Sequence, residues 1–202
     1  MIAELALPPE LRRSLDELVS VLREAVPLEA AYVHGSAVRG AFDPATSDLD
    51  VYAVVARELT ADERRHLRRR VAALSVPARQ LELVVYTRAE AAGSQPRYEL
   101  NTGDPVDDAF WFVLDRAAAE QTAVALTGPP WADVFAPVAR EDVLAALAEG
   151  LDWQDEHEPT SRSSLLNACR SWAWLETGRW LSKPEAAAWL RERVRERIEA
   201  AQ

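Results

Sequence analysis

The sequence predicts an α+β protein: a mixed sheet with accompanying helices, followed by a helical C-terminal region. Three observations carry this expectation. Short runs rich in β-branched residues alternate with amphipathic stretches up to about residue 90. From Phe110 onward the apolar spacing is helical, and all seven tryptophans lie beyond that point. Between the two regimes, residues 88–108 hold Gly93, Pro96, Gly103 and Pro105 and read as loops.

Each element follows from its residues. Leu11, Leu15, Leu18, Val19, Leu22 and Val26 recur at helical spacing, so residues 9–26 read as an amphipathic helix. Ala30 to Val33 reads as a short strand that runs into Gly35-Ser36, and Asp48 to Val55 as a second strand. Thr60 and Glu63 form a capping box before a helix carrying Leu67, Val71 and Leu74. The arginines of that helix (Arg64, Arg65, Arg68, Arg69, Arg70) read as a solvated face rather than a nucleic-acid patch. Leu81 to Tyr86 is a third strand. Helices are expected at 107–126, 140–154, 162–177 and 183–200, with Gly128-Pro129-Pro130 breaking the first from the next. Gly178 is placed to cap the third of these, and Ser182 with Glu185 to cap the start of the last. A domain boundary near Pro137 divides the chain into 1–137 and 138–202. Trp172, Trp174, Trp180 and Trp189 are expected in the helical core.

Composition narrows the function. With 202 residues, 49% hydrophobic and 28% charged, the chain is an ordinary globular protein. No apolar run approaches the roughly 18–20 residues of a membrane span, and the N-terminus lacks a basic and then apolar leader. One cysteine, Cys169, excludes an internal disulfide and suits a cytoplasmic location. With only three scattered histidines (His34, His66, His157) beside it, an ordinary zinc site is also excluded. A metal here is expected to be bound by oxygen, which points to Mg²⁺. Residues 90–160 carry fifteen Asp and Glu against three Arg, so this stretch alone is more acidic than the whole chain at −10. Such a stretch repels nucleic acid and attracts a small cation, although solubility alone also accounts for acidity.

The chemistry concentrates in His34-Gly35-Ser36-Ala37-Val38-Arg39-Gly40 and Ser47-Asp48-Leu49-Asp50-Val51. Gly35 and Gly40 have P-loop spacing, but Ala41 and Phe42 stand where Lys and Ser/Thr are required. In a strand, side chains two apart share a face, so Asp48 and Asp50 project together while Leu49 and Val51 face the core. Two adjacent carboxylates repel unless a cation lies between them, and hard oxygen ligands favour Mg²⁺. Ser36, at a helix start, offers a hydroxyl and backbone N–H groups to a phosphate. Glu82 alternates with Leu81 and Leu83 and so falls on the face opposite the core, where it could bind metal or take a proton.

The G-S-x₁₀-S-D-x-D arrangement resembles the nucleotidyltransferase superfamily that includes DNA polymerase β. The segments VALTGPPWADVFAPV and LLNACRSWAWLETGRWLSKPEAAAW look like the aminoglycoside 3″-adenylyltransferases, which act on streptomycin and spectinomycin. The resemblance, from about Leu7 to Trp189, implies Mg²⁺-dependent transfer of AMP from ATP to a small cationic acceptor bound between two domains. It implies that residues 1–137 form the nucleotidyltransferase domain and residues 138–202 the helical substrate domain. By position, Gly35, Ser36, Ser47, Asp48 and Asp50 hold ATP and Mg²⁺, Glu82 is the catalytic base, and Arg170 and Lys183 contact the phosphates. Lys183 also follows the N-cap Ser182, at the positive end of a helix. There are departures. Those enzymes continue for further helices, so this chain is expected either to be shortened or to cover its open face as a homo-oligomer. Thr160 falls where they carry a drug-contacting carboxylate, a role that Asp155, Glu156 or Glu158 is placed to take over. Their aromatic residue has no counterpart near Gly103-Asp104-Pro105. Transfer to a protein, a non-drug small molecule, or nucleotide binding without turnover are the alternatives.

Overall fold

The computed structural model describes residues 7–94, 97–102 and 109–201. Helix α1 (Pro9–Ala25) opens with proline at its first position, where a missing N–H costs nothing. It lines Leu11, Leu15, Leu18 and Leu22 along one fully buried stripe, each contributing about 1.5–3 kcal/mol. Strand β1 (Leu28–Val33), a single 3₁₀ turn (Gly35–Ala37), β2 (Leu49–Val55), α2 (Ala61–Ala72) and β3 (Leu81–Thr87) follow. Next come α3 (Arg88–Ala91), β4 (Leu100–Asn101), α4 (Ala109–Thr122) and β5 (Val124–Thr127). Three long helices complete the chain: α5 (Arg140–His157), α6 (Arg162–Thr177) and α7 (Lys183–Glu199).

The strands form one sheet in the order β4-β3-β2-β1-β5, with β2 and β3 parallel and the other pairs antiparallel. Its two faces are distinct cores. Leu49, Val51, Ala53, Leu83 and Val85 pack with α1 and with Leu67 and Val71 of α2. Tyr32, Tyr52 and Tyr86 point the other way, against Phe112 of α4 and the stacked pair Trp131 and Phe135. The functional residues of β2 and β3 lie on this second, aromatic face.

The α+β expectation holds, with corrections in detail. Val124–Thr127, expected as the end of a helix over 107–126, is instead the edge strand β5. Pairing with Ala31, Tyr32 and Val33 of β1 outweighs the local helical spacing. Within the expected loop region, Thr87 and Glu90 form a capping box that starts α3, and Leu100 and Asn101 pair with Val85 and Val84. Pro96, Gly103 and Pro105 lie outside the described residues. Helix α5 runs on to His157, whose ring stacks on Trp153 one turn earlier. The capping boxes at Thr60 and Ser182 form as expected, and Gly178 ends α6 at φ 68°. Trp174 and Trp180 are core residues, but Trp172 is 55% exposed. Among the described residues no helix is long and apolar enough to cross a membrane.

Candidate active site

The site begins where β1 meets β2. Their antiparallel register pairs Val33 with Val51, and the His34 N–H donates to the Asp50 carbonyl at 3.1 Å. The turn after β1 therefore lies against the first residues of β2. Gly35 adopts φ 69°, and a Cβ there would fall 1.9 Å from Asp50 Oδ2. Only glycine permits both the turn and the close approach of that carboxylate. The neighbouring Ser36 is half-buried, and its hydroxyl makes no hydrogen bond to a described residue.

Parallel pairing of β2 with β3 sets Asp50 directly beside Glu82. Gln80 orients Glu82 by donating from Nε2 to Oε1 at 2.7 Å. Asp48 lies one residue ahead of β2, and Arg79 grips both its oxygens, Nε to Oδ1 at 2.8 Å and Nη2 to Oδ2 at 2.6 Å. Ser47 is occupied with its own loop: its hydroxyl accepts from the Asp43 N–H at 3.0 Å and its N–H donates to the Asp43 carbonyl at 2.7 Å.

Cations arrive from the helical region. Arg170 of α6 donates from Nε to the Leu181 carbonyl at 3.0 Å, with its guanidinium 5.6 Å from the Trp180 ring centre. Lys183, the first residue of α7, donates to Ser163 Oγ at 2.7 Å. Arg39, just beyond the 3₁₀ turn, donates to the Trp180 carbonyl and so ties the turn to the segment between α6 and α7. Burial lowers the pKa of Arg170 and Lys183, the first opposed by Asp115 and Asp50, the second reinforced by Arg170 and opposed by Asp48 and Glu158. Both cations belong to the electrostatic system of the carboxylates.

Asp50 is held well above the usual carboxylate range, first by burial and then by Asp115, Glu82 and Asp48, with Arg170 pulling back. Carboxylates gathered with this much mutual repulsion are the mark of a site that a cation completes. Among the described residues no three or more acidic, histidine or cysteine side chains cluster closely enough to enclose a metal by themselves. Asp48 and Asp50 therefore suit an ion that takes only one or two protein carboxylates and draws its other ligands from phosphate and water, which is the habit of Mg²⁺.

The sequence reading missed Asp115, Arg79, Gln80 and Arg39. Asp115 left a signal, as the lone acid in the run AFWFVLDRAAA of α4. Its pKa is pushed up to about 6 by the surrounding protein and by Glu82, against Arg170 and Lys183. Water nevertheless reaches this exposed side chain, so screening keeps its effect on stability small. Asp155 and Glu156, expected in a loop, are exposed on the last turn of α5, and Glu158 accepts a hydrogen bond from Ser164 at 3.2 Å.

Comparison with known proteins gives matches to both parts of the chain. Residues 15–106 match the nucleotidyltransferase domain family, and residues 133–201 match the aminoglycoside adenylyltransferase C-terminal domain family. The chain is 28% identical over 214 residues to the aminoglycoside (3″) (9) adenylyltransferase of Shigella flexneri, covering 92% of this chain and 80% of that protein. It is also 28% identical over 209 residues to the Klebsiella pneumoniae protein of the same name, covering 89% and 78%. Among solved structures, the spectinomycin adenyltransferase AAD(9) from Enterococcus faecialis with ATP and spectinomycin matches with a TM-score of 0.77 at 20% identity. That match covers 94% of this chain and 87% of that one, and establishes a common fold. The two family matches follow one another along the chain as the sheet and the helices do.

Proposed function

We propose that this protein transfers AMP from ATP to a hydroxyl of a small cationic acceptor, an aminoglycoside of the streptomycin or spectinomycin type, and so confers resistance to it. The observation that carries the reading is the pairing of Asp50 with Glu82 beside the Gly35 turn, within the field of Arg170 and Lys183. The names of the relatives supply the acceptor class.

In this reading residues 1–137 bind the nucleotide and residues 138–202 close over it. Gly35 and Ser36 present backbone N–H groups and a hydroxyl to the phosphates, and Ser47 fixes the loop that carries Asp48. Asp48 and Asp50 would hold Mg²⁺, which would supply positive charge where negative charge builds up. Arg79 must release at least one Asp48 oxygen for this. Glu82, aimed by Gln80, takes the proton from the acceptor hydroxyl as its oxygen bonds to the α-phosphorus. The bond from that phosphorus to the bridging oxygen breaks, and pyrophosphate leaves with its charge offset by Arg170 and Lys183. The same reading places the protein in the cytoplasm, where ATP is available.

Pyrophosphate release from Mg-ATP across a panel of aminoglycosides, spectinomycin and non-drug acceptors tests the proposal. Release with one or more of the drugs is expected. ATP binding without release in the presence of any drug overturns it.

A further inference from the structure

Asp48, read as a metal ligand, already has a cation on it. Arg79 stands two residues ahead of β3, and its N–H donates to the Ser47 carbonyl at 2.9 Å, while the Leu49 N–H donates to the Gln80 carbonyl at 2.9 Å. The chain entering β3 is thereby laced to the chain entering β2, which brings the Arg79 side chain onto Asp48. The guanidinium fork closes on both carboxylate oxygens, at 2.8 and 2.6 Å. This pair is no buried strut. The Arg79 side chain is 54% exposed and that of Asp48 22%, so the arginine can leave without repacking the core.

A guanidinium that grips a carboxylate in this way competes with a divalent cation for the same oxygens. Both oxygens lie under one delocalised positive charge, and a second cation placed there is repelled. Mg²⁺ takes only one or two carboxylates from a protein and its other ligands from phosphate and water. Without nucleotide, therefore, little is gained by displacing the arginine. The triphosphate changes that balance. Asp48 raises the pKa of Lys183 and Arg79 lowers it, so the three charges lie within electrostatic reach of one another. Lys183 is also one of the two cations read as phosphate contacts. A guanidinium fork fits phosphate oxygens as well as it fits a carboxylate, so a phosphate near Lys183 offers Arg79 an equivalent partner. The exchange is balanced: Arg79 passes from one anion to another, and the carboxylate it leaves is open to the metal.

We propose that Arg79 is the exchangeable counter-ion of Asp48: it blocks this carboxylate until ATP arrives and then moves to the triphosphate, so that metal and nucleotide bind as a unit. This rests on the AMP-transfer reading above. It makes Arg79 a further nucleotide-contacting cation beside Arg170 and Lys183, with a second task that neither of them has. A plain strut between the entrances to β2 and β3 would keep the same grip with and without nucleotide.

The test uses the full chain and Mn²⁺ as the probe, titrated alone with free Mn²⁺ followed by electron paramagnetic resonance, and then as Mn-ATP by calorimetry. No acceptor is present, so activity plays no part. Arg79→Gln removes the charge and the fork, whereas Arg79→Lys keeps the charge and removes the fork. Without nucleotide, Arg79→Gln should bind Mn²⁺ about 3- to 10-fold more tightly than the wild type, with Arg79→Lys between the two. With Mn-ATP the order should reverse, Arg79→Gln binding about 10-fold more weakly. A merely structural arginine does not produce this crossed pattern. Adding Asp48→Asn to Arg79→Gln should abolish the gain in Mn²⁺ affinity, which assigns that gain to this carboxylate. Mn²⁺ binding that is unchanged or weaker in Arg79→Gln refutes the blocking role, and a gain that survives Asp48→Asn refutes it equally. Unchanged Mn-ATP affinity refutes the exchange. Each of these results leaves AMP transfer standing. If the wild type binds ATP no better with Mn²⁺ than with EDTA, the metal reading itself fails and takes the role of Arg79 with it.

Discussion

Substituting Gly35 by alanine separates two costs that the structure puts at one position. The first is conformational: φ is 69°, and an L-residue with a side chain pays about 1–2 kcal/mol in that region. The second is a collision, since the new Cβ would lie 1.9 Å from Asp50 Oδ2 and 2.9 Å from Asp50 Cγ. The strand register fixes the Asp50 backbone, so its carboxylate must swing aside. Displacing a reacting group by about 1 Å costs about 10²-fold in rate. Gly40 is the internal control, with φ 67° and nothing within 4 Å of an added Cβ. Both variants should melt about 2–8 °C lower, the range expected when 1–2 kcal/mol is lost from a protein of this size. Only Gly35→Ala should lose activity, by about 10²-fold or more. Thermal melts and pyrophosphate release on the two variants decide the matter. Equal activity losses, or a Gly35→Ala enzyme with wild-type turnover, would mean that the carboxylate against this turn is not part of the machinery.

Four further outcomes are expected. Glu82→Gln cannot accept a proton, so turnover should fall by about 10²–10⁴-fold with Mg-ATP affinity nearly unchanged; a large loss of affinity in a binding titration would make Glu82 a metal ligand instead. Asp50→Asn should abolish turnover yet raise the melting temperature of the ligand-free protein at neutral pH, because the native fold raises the pKa of Asp50 and its ionised form is costly there. Replacing Arg170 or Lys183 by Ala should weaken ATP binding in the same titration, and unchanged affinity in both would separate the helical region from the triphosphate. Buried His34 has its pKa pushed down to about 3, first by burial and then by Arg39. The unfolded chain therefore takes up that proton first, and the stability held above about 6.5 is lost as pH falls towards 3. His34→Phe should move the acid-unfolding midpoint lower, and an unchanged acid limb in circular dichroism would assign acid sensitivity elsewhere.

Local signals in the chain were legible wherever one interaction dominates. The α1 stripe, the capping boxes at Thr60 and Ser182 and the αL cap at Gly178 each depend on residues within a turn or two of one another. The Gly35 turn and Asp50 were legible because a turn between adjacent strands brings neighbouring residues together. Strand β5 was not, since Val124–Thr127 takes its conformation from β1, about ninety residues earlier. Nor was the bidentate hold of Arg79 on Asp48, which depends on how the α2 crossover returns β3 alongside β2. Alternation could put Glu82 on the right face, but only the parallel register put it beside Asp50.

Asp115 shows why a count of charges stops short of a site. Fifteen acids crowd residues 90–160, and their sum says only that a cation is drawn towards that stretch. Long-range attraction of this kind is nearly indifferent to which acid carries the charge, and salt screens it within about 10 Å. Recognition at contact distance is not indifferent. It needs a carboxylate that no cation of the protein already occupies, in a recess with apolar walls, beside the group that takes the proton. Asp155 and Glu156 stand on the exposed last turn of α5, outside any such recess. Asp115 lines a recess with Trp111 and Leu151, and its helix carries Phe112 into the aromatic core on the second face of the sheet. The position of this carboxylate is therefore fixed by the aromatic core to which Phe112 belongs, not by any acidic pattern in the chain.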